Sequence, residues 1–222
     1  MKAVLDHLVV AARSLDEGVA WCEAALGVTP APGGKHALMG THHRLLSIAS
    51  PEFARAYLEI IAIDPEAAAP GRVRWFDLDD AALQASLARG PRLVHWVART
   101  SDIDAAVAVL AAQGVDRGRV LQASRATPQG ELRWRITVRD DGRRLFAGAL
   151  PTLIEWGAAH PADALPASGV TLQSFTLGAG DPSALEGPMH SLGIAANVRG
   201  GSVALTFRLR TPRGEITISS WE

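Results

Sequence analysis

The stretch LDHLVVAARSLDEGVAWCEAALGV, residues 5–28, has the pattern of a short strand followed by a helix. Apolar residues dominate its first six positions, although His7 lies among them. Ser14 and Glu17 form a capping box that predicts the start of a helix, and Gly27 provides the left-handed residue that ends one. An imidazole in an apolar strand is either a packed core residue or a ligand, and this stretch alone favours the packed residue.

The same pattern occurs twice more along the chain. Residues 93–115, LVHWVARTSDIDAAVAVLAAQGV, place His95 in an apolar strand before a capped helix that ends at a glycine. Residues 170–194, VTLQSFTLGAGDPSALEGPMHSLGI, place Gln173 where the other two copies have histidine. Strand patterns follow each helix, so the sequence predicts an α+β protein built from three βαβββ modules.

The modules are predicted at residues 1–65, 92–158 and 168–222. Between the first two lies an insert, residues 66–91, with a predicted helix from Asp79 to Arg89. The insert is expected to be ordered because its aromatic pair Trp75 and Phe76 needs burial.

The last strands of the first two modules carry glutamates at equivalent positions. Glu59 follows Leu58 in the first module, Glu155 follows Ile154 in the second, and the third has Ser219 there. A carboxylate in an apolar strand is unfavourable unless it is paired or bound to a metal. Two His–Glu sets suit a divalent metal such as Ni, Co, Zn, Mn or Fe, and the alternative is two hydrogen-bonded His–Glu pairs without metal.

The paired modules resemble the vicinal oxygen chelate superfamily. The segments quoted at residues 5–28, together with GGKHALMGTHHRLLSI, YLEIIAIDP and LPTLIEWG, resemble its glyoxalase-like domain family over residues 5 to about 160. The resemblance implies that modules one and two form one domain, residues 1–160, folded as an incompletely closed eight-stranded barrel. It also implies that the barrel surrounds one metal, while module three takes no part in the site. The implied ligands are His7, Glu59, His95 and Glu155.

The chemistry implied by the resemblance is that of a metal-dependent isomerase or lyase. The metal would stabilise an enolate-type intermediate of a small oxygenated substrate, and Glu155 or Glu59 would act as the base. One alternative is an extradiol-type dioxygenase that holds Fe(II) through His7, His95 and Glu155. Another is a protein that binds or sequesters a small molecule without catalysis, as bleomycin-resistance relatives do.

Further polar and aromatic residues have open roles at this stage. His36, His42 and His43 either line the pocket or lie on the surface. Arg133, Arg135 and Arg139 share one strand face, which is either solvated or an anion clamp. Trp96 and Trp156 follow the predicted ligands and are expected to face away from the site.

The composition excludes several classes of partner. The net charge is −1, so nucleic acid and anionic membranes are not expected. Cys22 is the sole cysteine, which excludes an intrachain disulfide. We therefore expect a bacterial-type cytoplasmic protein with a small-molecule substrate. The third module has a sheet to bury, and we expect it to do so in a homodimer or against the first barrel.

Overall fold

The computed structural model describes residues 2–201 and 205–220, which form two β-sheets and four α-helices. The helices are α1 (Leu15–Leu26), α2 (Ala81–Leu87), α3 (Ile103–Ala111) and α4 (Pro182–Ser191). The strands are β1 (Val4–Ala11), β2 (Ala31–His36), β3 (Thr41–Ser47), β4 (Tyr57–Ile63), β5 (Arg92–Arg99), β6 (Arg119–Thr127), β7 (Gly130–Val138), β8 (Thr152–Trp156), β9 (Thr171–Ala179), β10 (Asn197–Gly200), β11 (Leu205–Thr211) and β12 (Gly214–Ser219).

The first eight strands form a nearly closed barrel. Their order is β2-β3-β4-β1-β5-β8-β7-β6, so each module contributes four neighbouring strands and the modules join where β1 pairs antiparallel with β5. In each module the first strand pairs in parallel with the last, β1 with β4 and β5 with β8. The edge strands β2 and β6 do not pair, which leaves one open seam. The predicted α+β fold with an incompletely closed eight-stranded barrel is confirmed.

The local signals of the opening stretch act as the sequence predicts. The Ser14 hydroxyl accepts a hydrogen bond from the Glu17 N–H at 3.2 Å, and α1 begins at the next residue, Leu15. Gly27 ends α1 with φ 75°, a conformation that glycine adopts without steric penalty. Cys22 is fully buried on the core side of this helix, so it acts as a small apolar residue.

The insert between the modules enters the barrel. Trp75 and Phe76 are 7% and 4% exposed and pack among the inward-facing strand residues. The chain reverses there through the positive φ of Phe76 and Asp77, at 60° and 59°, and Asp77 Oδ2 accepts from Arg144 Nε at 2.7 Å. We call Trp75 and Phe76 the aromatic plug. The insert's helix is α2, shorter at both ends than the predicted Asp79–Arg89.

The third module has the predicted element order but a different strand pairing. Its sheet runs β10-β9-β11-β12. In each barrel module the last strand pairs in parallel with the first. In the third module β10 takes that place beside β9, so the last strand, β12, pairs only with β11 and lies at the sheet edge. Gln173 and Ser219 therefore lie on strands that are not neighbours, so this module does not reproduce the His/Glu arrangement. The predicted module ends at 222, and residues 202–204 and 221–222 lie outside the described residues.

The apolar face of the third module is covered by the barrel of the same chain. Phe175 on β9 packs against Trp96 on β5, with ring centroids 5.4 Å apart, and Trp96 faces away from the barrel interior as predicted. Backbone hydrogen bonds of 2.8 Å join Leu172 to Ile48 and Ala3 to Leu192. One apolar core thus spans the outer barrel face and the second sheet. Dimerisation stays a prediction. No helix in the described ranges is long and apolar enough to cross a membrane.

Candidate functional site

A buried carboxylate surrounded by imidazoles lies inside the barrel. Glu59 is 6% exposed, and its Oε2 lies 3.7 Å from His7 Nε2. Its Oε1 lies 3.2 Å from His43 Nδ1 and 3.8 Å from His36 Nε2. Tyr57 stacks on His7 with ring centroids 4.6 Å apart. We call the space lined by these groups the inner cavity. The structure brings His7 and Glu59 together and adds His36 and His43.

Strand alternation directs these side chains inward. On β4, Tyr57, Glu59 and Ile61 line the barrel interior, whereas Leu58 and Ile60 join the outer core. Successive residues of a strand face opposite sides of the sheet. Glu59 lies two residues from both Tyr57 and Ile61, so its side chain points into the barrel as theirs do. The position of Glu59 is therefore fixed by the register of β4.

A β-bulge places an aspartate behind His7. The register between β1 and β5 shifts between Leu5 and His7, so Asp6 is the extra residue and escapes the usual alternation. Asp6 is fully buried and accepts hydrogen bonds from His7 Nδ1 at 2.7 Å, His160 Nε2 at 2.9 Å and Trp156 Nε1 at 3.2 Å. This contact puts the His7 proton on Nδ1 and leaves the Nε2 lone pair facing Glu59.

The hydrogen bonds to Asp6 decide its charge. Burial alone would raise the pKa of this carboxyl, but the hydrogen bonds from His160 and His7 hold the pKa well below its usual value. Asp6 is therefore an anion, and it fixes the tautomer of His7 from a site that water does not reach.

Arg125 enters the inner cavity from the open seam. Its Nη1 donates to His43 Nε2 at 2.8 Å, which places the His43 proton on Nδ1. Gly34 on β2 makes this approach possible, because a Cβ there would overlap the Arg125 guanidinium. Gly33 allows β2 to lie close to His43 in the same way. The Gly-Gly pair forms a bulge in the pairing of β2 with β3, so the seam is shaped by residues that lack side chains.

Burial sets the protonation of the cavity residues. It raises the pKa of Glu59. It lowers the pKa of His36 to about 3, with the nearby charge of Arg125 acting in the same direction. It also lowers the pKa of His43 well below the ordinary value. The imidazoles of His36 and His43 are thus neutral at neutral pH, which is the form that binds metal ions.

The buried histidines predict that acid destabilises the protein. His36, His43 and His95 have folded-state pKa values lowered by burial, so below about pH 6.5 the unfolded chain binds more protons. Each is expected to remove up to about 2 kcal/mol of stability between pH 6.5 and 5, at about 1.36 kcal/mol per pH unit. The raised pKa of Glu59 has the opposite effect on stability, but this single carboxyl offsets only part of the effect of three histidines. Urea unfolding at pH 7.5, 6 and 5 measures this.

The exposed His190 provides the control for this acid effect. Replacing His190 with Gln should leave the pH dependence unchanged, whereas His36→Asn should reduce it. A free energy of unfolding that stays constant from pH 7.5 to 5 would contradict the buried neutral histidines.

The cluster has the donor set of a divalent-metal site. His36, His43 and Glu59 each offer a ligand atom, and these atoms lie within 4.8 Å of one another. The buried Nδ1 of His43 has no hydrogen-bond partner in the described part of the chain. Two neutral imidazoles and a carboxylate suit Ni, Co, Zn, Mn or Fe(II). Binding through His43 Nδ1 would move its proton to Nε2, so Arg125 would have to release this nitrogen.

The structure does not bring His95 into the cluster. His95 is fully buried, its Nδ1 pairs with the Gly148 carbonyl at 3.2 Å, and its Nε2 accepts from the Thr152 N–H at 3.1 Å. Both ring nitrogens are therefore used in packing the second module. The aromatic plug also separates it from the inner cavity, since Phe76 lies 5.2 Å from the His95 ring.

Glu155 lies on the outside of the barrel, and Trp156 takes the inward position. Glu155 Oε2 accepts from the Ile103 N–H at the start of α3 at 2.7 Å, and Oε1 lies 3.5 Å from Arg135 Nη1. In the parallel pairings, Glu59 lies opposite Val9, and Thr152 lies opposite the equivalent Val97. The equivalence drawn between the last strands was therefore three residues out of register, and an odd shift reverses the face. Trp156 therefore lines the inner cavity, contrary to the prediction that it faces away.

Arg133 and Arg135 on β7, and Arg139 directly after it, are not an anion clamp. Arg133 pairs with Glu131 at 2.7 Å, Arg135 with Asp104 at 2.7 Å, and Arg139 with Asp141 at 2.7 Å. These carboxylates already neutralise the guanidinium groups. The solvated-face alternative describes them.

The inner cavity joins a larger groove at the open seam. The inner cavity measures about 30 Å³, room for an ion with a water or two but not for an organic substrate. The seam groove measures about 650 Å³, within the range of small-molecule sites. Leu45, Arg125 and Pro161 line both spaces. A molecule in the seam groove would thus meet Arg125 before the Glu59 cluster.

Several of these residues escaped the sequence analysis. Asp6 was overlooked because strand alternation assigns it to the face opposite His7, and only the bulge reverses this. Arg125 alternates with small residues in QASRAT, a pattern with no evident partner. His43 had a usable signal, because it lies at an inward position of the alternating pattern of β3.

Two paired βαβββ modules around an interior His/Glu cluster define a protein of the vicinal oxygen chelate fold. The chain belongs to the glyoxalase-like domain family, whose sequence profile matches residues 5–193. The matched range extends beyond the barrel into β9 and α4. No curated protein matches the chain in sequence.

Several solved structures are similar to this one. A hypothetical protein from Staphylococcus aureus has 15% identity and a TM-score of 0.62, covering 99% of this chain and 85% of its own. A variant of Streptomyces coelicolor methylmalonyl-CoA epimerase, in complex with 2-nitronate-propionyl-CoA, has 21% identity and a TM-score of 0.43, covering 72% and 100%. The Mycobacterium tuberculosis methylmalonyl-CoA epimerase has 21% identity and a TM-score of 0.40, covering 72% and 91%. At 15% identity the likeness to the Staphylococcus aureus protein shows the fold alone.

Proposed function

We propose that the inner cavity and the seam groove it joins together form the active site of a divalent-metal-dependent isomerase or lyase acting on a small oxygenated substrate. The observation that supports this most is the buried carboxylate of Glu59, with imidazole nitrogens of three histidines within 3.8 Å. His36, His43 and Glu59 would hold the metal. When bound, the metal would supply Lewis-acid stabilisation of a developing enolate oxygen.

His7 is the general base in this proposal. Its Nε2 lone pair faces the cavity because Asp6 holds the proton on Nδ1 at 2.7 Å, the arrangement that orients a catalytic imidazole. His7 would remove a proton from carbon next to a carbonyl and return it to the same or a neighbouring carbon. Glu155 has no part in this step, because it lies outside the barrel.

Arg125 sets the class of substrate in this proposal. Its guanidinium hydrogen-bonds to His43 Nε2 and lines both the inner cavity and the seam groove. Once released from His43, it would donate to an anionic oxygen of the incoming substrate. The favoured substrate is therefore a carbonyl compound with a carboxylate or similar anionic group, the rest of which occupies the seam groove.

The proposal is tested by metal analysis and by hydrogen exchange. Protein purified without chelator should hold one Ni, Co, Zn, Mn or Fe per chain, or take up one on titration. In D₂O, the loaded protein should exchange the α-hydrogen of a substrate among 2-oxo acids, 2-hydroxy acids and acyl thioesters, followed by proton NMR. His7→Gln should keep the metal and lose the exchange. Absence of stoichiometric metal under both conditions would leave a binding or sequestration protein instead.

A second candidate is an Fe(II) dioxygenase. Two histidines and one carboxylate, here His36, His43 and Glu59, are the donor set of non-haem Fe(II) oxygenases. Under this alternative the Fe(II)-loaded protein consumes oxygen with a catechol-type substrate. Exchange of an α-hydrogen without oxygen uptake favours the isomerase or lyase.

A further inference from the structure

We infer that the seam groove selects a carboxylate with an uncharged apolar chain of several carbons, a free acid rather than a thioester of a phosphorylated carrier. This inference rests on the proposed function and deepens it, because it names the part of the substrate beyond the reacting head. The inner cavity, at about 30 Å³, has room for little more than the oxygen atoms of that head. The carbon chain therefore has to lie in the seam groove, which measures about 650 Å³.

The walls of the seam groove are mostly apolar. Four prolines, four alanines and three leucines line it. The leucines come from three separate segments, since Leu45 lies on β3, Leu132 on β7 and Leu165 in the linker after β8. Proline has no backbone N–H, so the four prolines add apolar surface without a hydrogen-bond donor. Such walls favour methylene groups over polar ones.

The charged groups of the seam groove leave one place for an anion. Glu131 pairs with Arg133 at 2.7 Å. Asp163 pairs with Arg55 at 2.8 Å. Among the described residues that line the groove, Arg125 is the sole arginine and there is no lysine, and the Arg125 Nε has no hydrogen-bond partner in that part of the chain. The groove thus suits one carboxylate, and it offers no second cation for a phosphate further along.

Arg125 lies at the inner end of the seam groove, which fixes the direction of the ligand. Leu45, Arg125 and Pro161 line both the groove and the inner cavity. A carboxylate bound to Arg125 therefore places the neighbouring carbonyl at the mouth of the inner cavity, and the chain extends outward between the apolar walls. A ligand with a charge at both ends would bring the second charge into an apolar space.

The linker wall of the seam groove is preorganised. His160 Nε2 donates to Asp6 at 2.9 Å, the same carboxylate that holds the proposed base. Asp163 is tied to Arg55, 108 residues away in sequence, at 2.9 Å. The segment that carries Leu165 is thus held to the barrel at two points, so a ligand does not have to order this wall when it binds.

The test measures binding of unreactive straight-chain carboxylates to the full chain by ligand-observed NMR. The affinity should rise about 2- to 4-fold per methylene from butanoate to octanoate, the gain expected from burying apolar surface. Octan-1-ol lacks the charge that pairs with Arg125, and octanedioate carries a second charge into the apolar part of the groove. Each should bind at least ~10-fold more weakly than octanoate.

Matched variants locate this binding. Leu165→Asp should abolish the dependence on chain length, because it places a charge beside the chain. Leu38→Asp makes the same change in the turn between β2 and β3, where Leu38 is 40% exposed and does not line the groove, and it should bind as the wild type does. If Leu165→Asp does not fold, Ala126→Asp introduces the charge from β6. Arg125→Met should bind octanoate no better than octan-1-ol.

The outcomes separate this inference from the proposed function, because the saturated acids are not turned over. An affinity independent of chain length overturns the inference. So does tighter binding of an acyl thioester with a phosphorylated carrier, or equal loss in the Leu165 and Leu38 variants. Equal kcat/KM for α-hydrogen exchange of 2-oxobutanoate and 2-oxooctanoate also overturns it and leaves the proposed function standing. Chain-length-dependent binding without metal or exchange supports the ligand class and rejects the proposed function.

Discussion

Replacing Glu59 with Gln is expected to lower the affinity for Zn²⁺ or Ni²⁺ by more than ~100-fold. Glu59 is the one carboxylate of the inner cavity cluster, and loss of a direct ligand should exceed the ~10–100-fold effect of losing an outer partner. Competition with a chromophoric chelator measures the affinity. The variant should fold, because an amide of the same shape keeps the packing.

Glu155→Gln provides the matched control. The chemical change is the same, but Glu155 caps α3 outside the barrel, so the metal affinity should stay within about twofold of wild type. His95→Asn should also leave it unchanged. If these two variants lost metal as strongly as Glu59→Gln, the result would support the ligand set His7, Glu59, His95 and Glu155. It would also contradict a site formed by His36, His43 and Glu59.

Removing the Asp6 carboxylate is expected to cost about 3–5 kcal/mol of stability, the range for breaking a buried charged network from one side. Asp6→Ala leaves the donors of His7, His160 and Trp156 without their acceptor in a space that excludes water. It also removes the charge nearest to Arg99, 3.7 Å away. Urea unfolding at pH 7.5 measures the loss.

Asp140→Ala is the comparison for Asp6. Asp140 pairs with Arg119 on the surface, where both side chains are 66% exposed, so its loss should cost within about 0.5 kcal/mol. A loss below about 1 kcal/mol for Asp6→Ala would show that the buried network is not held by this carboxylate. In that case the tautomer of His7 would not be fixed by Asp6, and it would no longer support a role for His7 as the base.

The fold could be predicted because its signals are local and repeated. A cap at Ser14 and a stop at Gly27 depend only on neighbouring residues, and the recurrence near His95 showed which helices belong to equivalent modules. The strand order of the third module could not be predicted in this way. Which strand pairs with β9 is a long-range choice, and residues 171–219 carry the same local pattern under either pairing.

The site was predictable in part, for reasons that lie in strand register. The His7 and Glu59 positions follow from alternation within β1 and β4, where apolar neighbours set the register. Alignment of Glu155 with Glu59 failed because Thr152 occupies the equivalent register position, and the apolar run before Glu155 does not indicate which residues face inward. Asp6 and Arg125 depend on a bulge and on a seam between distant strands, and neither feature has a local sequence signal.

The aromatic plug has a consequence for how such a barrel can diverge. A duplicated barrel begins with two equivalent halves and one shared interior. Trp75 and Phe76 line both the inner cavity and a smaller space beside His95 and Arg117, so a loop divides that interior into two compartments. Because this partition belongs to neither module, changes in the loop can resize the compartments without disturbing the strand ladder. Each half can then acquire substitutions under separate selection.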